Sequence, residues 1–390
     1  MSWRQRKIPL SIYRGGTSRA LFFHKKDIPV DPVLRDKVLK RAMGTPDPDQ
    51  IDGLGSGVST RSKVAIISKS NNPGVDIEYT FAQIGIADDT VDYDANCGNI
   101  SSAVGPFSID EGLVSTFLPG KTINGGINTQ LVRIFNTGTQ KMIYSHVPIN
   151  SEGIVQFEGD FKVDGVPGNG APILIDWKDT VGASRNLGPL PTGNPINFIN
   201  VQGVDIPATI CDVGNIAVFA KASDFGLTGS ESRQEIDNNL DIDRMLRIFR
   251  SKAAELVGMT DDWKKVVDET PFTPFIVLLS SVSESTPEMD IQARLILKNH
   301  CHPSLAASGA ICIAACSRIP GTVLNNMISK ESLLKDHIKI SHLKGSLTVW
   351  VETGESQTSK NTHFEVLAIG RTARKILDGY VYIPETVWES

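Results

Sequence analysis

The sequence predicts an α+β protein of two pseudo-symmetric domains, each a curved, mostly antiparallel sheet or barrel wrapped around one central helix. Three observations carry this. At 390 residues the chain is longer than one ordinary core serves, so two domains are expected. Short runs rich in Val, Ile and Thr alternate with turns drawn from 34 Gly and 21 Pro, the composition of a strand-heavy fold. Two segments, CGNISSAVGPFSI (97–109) and AASGAICIAACSRI (306–319), open on small residues and become apolar nearly all round. A helix without a polar face must be enclosed by protein.

Along the chain, KIPLSIY and ALFFH read as strands around the turn Arg14–Ser18. Asp31-Pro32 offers an N-cap followed by proline at the first helical position, and Gly44 ends that helix. KVAIIS and the alternating VDIEYTFAQIGI are strands, as are TQLVRIFN, KMIYSHV, IVQFEG and PILIDW. The loop-like run NLGPLPTGNP (186–195) divides the chain into an N-terminal domain, 1–188, carrying the Cys97 helix, and a C-terminal domain, 189–390, carrying the Ser308 helix. The final segment is free to return to the first domain. Beyond the division the pattern restarts: strand, glycine turn and strand in IPATICDVGNIAVFA, a charged helix over 231–258, then FIVLLS, DIQARLIL, the second apolar helix, SLTVWVE, FEVLAIG and GYVYIP. Gly16 precedes Cys97 by 81 residues and Gly214 precedes Ala306 by 92, spacings that fit either a degenerate internal duplication or the pair of similar helices that any mixed α/β chain can offer.

A net charge of −5 gives no support to nucleic-acid or anionic-membrane partners. No apolar run reaches the eighteen residues of a membrane span, and IPLSIYRGG, which follows the basic start MSWRQRK, is too short and polar for a signal-peptide core. The expected location is cytoplasmic, and five cysteines without a C-x-x-C pair are expected to be free thiols. A homo-oligomer is left open.

The first turn of a helix presents unpaired N–H groups and a partial positive charge, so two such starts would suit carboxylates. Gly98 and Asn99 supply small, donor-rich approaches in the first half; Ser308, Gly309 and Ala310 do so in the second. A thiol at a helix start is the kind that exchanges protons, which makes Cys97 a candidate acid/base, the alternative being a small buried hydrophobe. Cys211, Cys312 and Cys316 read as core. Cys301 in NHCHP lacks a second ligand cluster, so no metal is expected, and His302 reads as a polar residue near the second helix start. Lys63 follows a glycine- and hydroxyl-rich loop that lacks the phosphate-loop pattern, and reads either as a solvated strand-edge lysine or as a site residue.

Taken together, YRGGTSRALFF, MGTPDPDQIDGLGSGVSTRSKVAI, NCGNISSAVGPFSI, DGVPGNGAPI, LPTGN, DVGN, ASDFGLTGSE, HPSLAASGAICIAACSRIPGTV and RTARKILDGYVYIP resemble the PrpF-type 2-methylaconitate cis-trans isomerase family, of diaminopimelate-epimerase-like fold. The resemblance covers nearly the whole chain. It implies an active site in a cleft between the two domains, and cofactor-independent proton transfer on small unsaturated di- or tricarboxylates of the 2-methylaconitate, aconitate or itaconate kind. Cis-trans or allylic isomerisation is implied, or tautomerisation of an oxo-substituted mesaconate. A non-catalytic carboxylate-binding accessory to an aconitase-like enzyme is the rival from another class.

Within the resemblance, Cys97 matches the acid/base cysteine of N-C-G-N and Lys63 its partner in proton transfer. Thr17, Ser18, Asn96, Gly98, Asn99, Asn215, His302, Ser308, Gly309 and Ala310 match substrate-binding positions. Where a two-thiol epimerase would carry its second cysteine, this chain has Ala306, which disfavours a racemase. Arg19, Arg61 and HLKG (342–345) depart from the family pattern; the two arginines either suit a tricarboxylate or longer acid, or are surface residues.

Overall fold

In the computed structural model, residues 4–93, 97–122, 128–270, 273–282, 288–297, 299–354 and 362–389 are described. The chain forms two compact units, residues 1–176 with 370–390, and residues 177–369. Its main elements run β1 (Gln5–Gly15), β2 (Ser18–His24), α1 (Pro32–Met43), β3 (Lys63–Lys69), β4 (Ile77–Ile84), α2 (Gly98–Asp110), β5 (Thr129–Asn136), β6 (Lys141–Pro148) and β7 (Ile173–Asp176). There follow β8 (Asn197–Val201), β9 (Val204–Val213), β10 (Asn215–Lys221), α3 (Leu240–Leu256), β11 (Phe275–Ser280), β12 (Ile291–Leu297), α4 (Ala307–Arg318), β13 (His337–His342), β14 (Gly345–Thr353), β15 (Phe364–Arg371) and β16 (Ala373–Pro384).

In the first unit the strands pair in the order β16–β1–β2–β3–β4–β5–β6–β7, parallel at β2/β3 and β4/β5 and antiparallel elsewhere. In the second the order is β8–β9–β10–β11–β12–β13–β14–β15, parallel at β10/β11 and β12/β13. The two patterns are the same strand for strand. The helices also correspond: α1 and α3 follow the second strand of each hairpin, while α2 and α4 lead into the second parallel pair.

Helix α2 touches strands at both ends of its sheet, so that sheet curls around it; α4 lies likewise against β9, β10, β11, β13 and β14. Both helices can be enclosed because they carry small or apolar side chains on nearly every face, and Ile100–Ser108 and Ser308–Ser317 are buried without a break. Gly105 is what lets α2 lie on β6: a Cβ there would stand 2.5 Å from Ser145 Oγ and 2.6 Å from Val147 Cγ2. On the opposite sheet face, alternate residues Val64, Ile66, Ala82 and Ile84 pack against Val38, Leu39, Ala42 and Met43 of α1. Asp31 Oδ1 caps that helix by accepting from Leu34 N at 2.8 Å, and Gly44 closes it in the left-handed region at φ 85°.

Two sequence expectations fail. IVQFEG forms no strand beyond an isolated bridge from Val155 to Ile149; its backbone bonds are divided between Pro148, which accepts from Gln156 N, and Ala171, which donates to Phe157 O, so no continuous ladder forms. The charged helix over 231–258 is two helices, Arg233–Asp237 and α3, broken at Asn238-Asn239, where the Asn239 side chain accepts from Asp241 N and Ile242 N.

Candidate active site

The β1–β2 turn lies directly on the first turn of α2, and the double glycine is the reason. A Cβ on Gly15 would strike the Asn99 carbonyl, and one on Gly16, already at φ 48°, would strike the Asn99 side chain. With nothing in the way, Asn99 Nδ2 donates to Thr17 Oγ1 at 3.0 Å, and Asn99 Oδ1 accepts from Arg371 Nε at 3.3 Å. Ser18 is buried opposite Gly15 in the hairpin. The turn is fastened further by Gly16 N donating to Thr372 O at 2.9 Å and by Arg14 Nη1 donating to the carbonyls of Gly16 and Thr372.

Cys97 is the N-cap of α2, extended at φ −123°, and its thiol caps nothing. Its carbonyl accepts from Ser101 N at 2.9 Å and from Ser101 Oγ at 3.0 Å, which starts the helix. The N–H groups of Gly98 and Asn99 belong to the first turn, which has no intrahelical acceptor. Cys97 is half-buried while the other four cysteines are buried. Asn96 lies outside the described residues.

Lys63 opens β3 and is only 9% exposed, so it is not a solvated strand-edge lysine. Its Nζ donates to Gln83 Oε1 at 2.5 Å and stands 5.1 Å from the centre of the Phe81 ring. Gln83 is fixed in turn by donating to Ser62 O at 2.8 Å. Tyr79, Phe81 and Gln83 alternate along β4 and share the face opposite to the one α1 covers. Burial pushes the Tyr79 phenol well above its ordinary range, and the neighbouring Cys97 adds to that. Lys63 stands at the Gln83 end of this face of β4, and Cys97 acts electrostatically on Tyr79, four residues along the same face.

In the second unit, Ala306 is the N-cap of α4 as Cys97 is of α2. Asn215 Nδ2 donates to Ser308 Oγ at 2.8 Å, repeating the contact of Asn99 with the hairpin turn. Gly214, at φ 73°, brings that turn close enough that a Cβ would stand 3.3 Å from Ser308 O. Gly309 lies close under Leu295, whose Cδ1 would have to move to admit a Cβ there. Ala310 leaves the donor set: its N–H is spent on Ala306 O at 2.9 Å, the first bond of the helix ladder. Ser308 and Gly309 keep first-turn N–H groups.

His302 is tied down through its own N–H to Leu295 O at 2.7 Å, and its Nδ1 accepts from Ser304 N at 3.1 Å. Burial holds the imidazole below its usual range, and the charges of Arg233 and Lys344 act the same way. Cys301 is buried, its thiol pushed up to about 11 by burial and by Asp237. Cys211, Cys312 and Cys316 are core, with the Cys312 thiol donating to Cys211 O at 3.4 Å.

Sequence reasoning missed Tyr79, Gln83 and Arg371. The one available signal for Gln83 was a polar residue on the buried face of an otherwise apolar alternation. Arg371 stood in a motif already singled out, but its contact with Asn99 joins residues 272 apart.

A family model described as "PrpF protein" matches residues 5–384 of the chain. The 3-methylitaconate isomerase of Eubacterium barkeri is 37% identical over 389 residues, covering 97% of this chain and 98% of that protein. The (4E)-oxalomesaconate Delta-isomerase of Novosphingobium sp. (strain KA1) is 32% identical over 375 residues, covering 96% and 97%. The crystal structure of a methylitaconate-delta-isomerase matches with a TM-score of 0.87 at 37% identity, over 98% of this chain and 97% of that one. With matches that run almost end to end in sequence and in structure, the chain belongs to the PrpF protein family.

Proposed function

We propose that this protein is a cofactor-independent isomerase that moves a proton, and with it a double bond or its geometry, in a small unsaturated di- or tricarboxylate. The observation that carries the reading is that one unit holds both an uncapped thiol at the start of α2, Cys97, and a buried lysine, Lys63, bonded to Gln83 and to no carboxylate among the described residues. The relatives' activities, on methylitaconate and oxalomesaconate, fix the chemical class.

A substrate carboxylate docks at the first-turn N–H groups of α2, beside Asn99 and Thr17. The Cys97–Lys63 pair removes a proton from an allylic carbon and leaves a dienolate. The fixed N–H donors and the Lys63 ammonium stabilise the charge that develops. Return of a proton to another carbon, or to the same one after rotation about the weakened double bond, completes the reaction. Electrons and protons balance within the substrate. Asn215, Ser308, Gly309 and His302 form the anion-binding start of α4. A two-thiol racemase is disfavoured, since Ala306 occupies the cap where a second thiol would stand.

Incubation with methylitaconate, cis- and trans-aconitate, 2-methylaconitate and oxalomesaconate in D₂O, followed by proton NMR, tests this. Conversion with deuterium uptake is expected for at least one acid, and a loss of about 10²–10⁴-fold in Cys97→Ala. No conversion and no exchange with any of them would overturn the isomerase; an undiminished Cys97→Ala would remove the thiol from the chemistry.

A further inference from the structure

Beside the β1–β2 turn the first unit holds a pocket of about 280 Å³ whose wall includes Arg14, Thr17, Arg19 and Arg61 and not one carboxylate. Two wall residues connect it to the candidate active site. Thr17 is the residue that Asn99 Nδ2 bonds, and Arg61 closes the short turn Ser59–Arg61 that leads through Ser62 into Lys63. A substrate arm extending away from the Cys97–Lys63 face past Asn99 would enter here.

Among the described residues no acid holds these arginines. Arg14 spends its bonds on backbone carbonyls and the Thr372 hydroxyl, and Arg19 donates to Leu54 O at 3.2 Å. Burial lowers the proton affinity of Arg14, helped by Arg374, and that of Arg19, helped by Arg61. Nearby, Arg371 is buried, its acceptors among the described residues being Asn99 Oδ1 and Gly370 O, and burial brings it down to about 10. Clustered cations that repel one another and lack a protein counter-charge are relieved by a bound anion. Guanidinium groups match the two oxygens of a carboxylate.

Resting on the polycarboxylate reading above, we propose that this arginine-walled pocket receives a further carboxylate of the substrate, beyond the two that a dicarboxylate offers, so that the substrate is a tricarboxylate. Arg19 and Arg61 then determine specificity, and the reacting carbon stays with Cys97 and Lys63.

The test uses equilibrium binding to the full chain, with tricarballylate (a saturated tricarboxylate with no double bond to shift) and succinate as the probes. Calorimetry is expected to show tricarballylate bound at least about ten-fold tighter than succinate, the scale of one charge-assisted contact. That preference should fall toward one in Arg19→Ala and in Arg61→Ala, and survive largely in Arg19→Lys. Arg61 is exposed, so its removal leaves no cavity, and circular dichroism checks each variant's fold. A wild-type preference near one, an unchanged preference in both alanine variants, or no measurable binding of either acid overturns the proposal. The ratio is read without turnover, so failure to isomerise any acid would sink the isomerase reading and leave this result legible.

Discussion

A lysine that is 91% buried needs a reason to be there, and Lys63 has no carboxylate to supply one among the described residues. Its ammonium rests on the Gln83 amide and over the Phe81 ring, neither of which cancels its charge. A cation kept in that state is ready to meet a substrate's negative charge, which is the argument for placing it in the proton-transfer pair. Lys63→Met should keep the fold and lose about 10²–10⁴-fold in kcat in the D₂O exchange assay; a loss confined to KM would make Lys63 a binding group only. His302 allows a prediction on pH. Its ring is held below the usual histidine range by burial, so the unfolded chain binds that proton more readily than the folded one. Stability therefore rises with pH. The His302 contribution is intact above the unfolded value of about 6.5 and is lost as pH falls below it. Urea midpoints at pH 7 and pH 5 should differ less in His302→Gln than in the wild type, and equal differences would remove His302 from the acid sensitivity.

At the scale of elements, enclosure of α2 depends on a few positions where a side chain is forbidden. Gly105→Ala would drive a Cβ into Ser145 and Val147 of β6, an overpacking that should cost about 1–3 kcal/mol by urea titration. A neutral result would show that β6 yields to the helix. Such positions also mark how far the sequence could be read. Cys97 and its helix were legible because small residues and a cap-forming N-C-G-N sit within one turn, a purely local signal. The same locality misled at IVQFEG, since alternation reports a face but not a partner strand. It misled again at 231–258, where period outweighed the two asparagines that stop one helix and cap the next. Lys63 was ambiguous for a similar reason. Only the register that sets it opposite Gln83 on β4 shows that it points to the buried face. Tyr79 and Arg371 matter through contacts made across strands or across most of the chain, which no local pattern carries.

Across the whole molecule, the same sequence of strand pairings runs twice, and the difference between the runs lies in how each sheet acquires its first strand. In the second unit β8 precedes β9 and joins it through a tight turn, Val201 opposite Val204. In the first unit the equivalent place beside β1 is taken by β16, from the far end of the chain, paired from Gln5 with Pro384 to Gly15 with Ala373. The first unit is therefore completed only when the last residues arrive, and those residues bring more than an edge strand. Arg371 holds Asn99, and Thr372 O receives the N–H of Gly16, so the geometry around the α2 start depends on the same segment. Removing residues 370–390 should thus expose the length of β1 and free Asn99 at once. The truncated chain is expected to be insoluble or to lack a cooperative first transition, and to show no isomerase activity. Adding the 370–390 peptide in trans at high concentration should restore part of both if β16 alone is what is missing. A truncated chain that melts and exchanges protons like the wild type would show that β1 and the Asn99 contacts are set without β16.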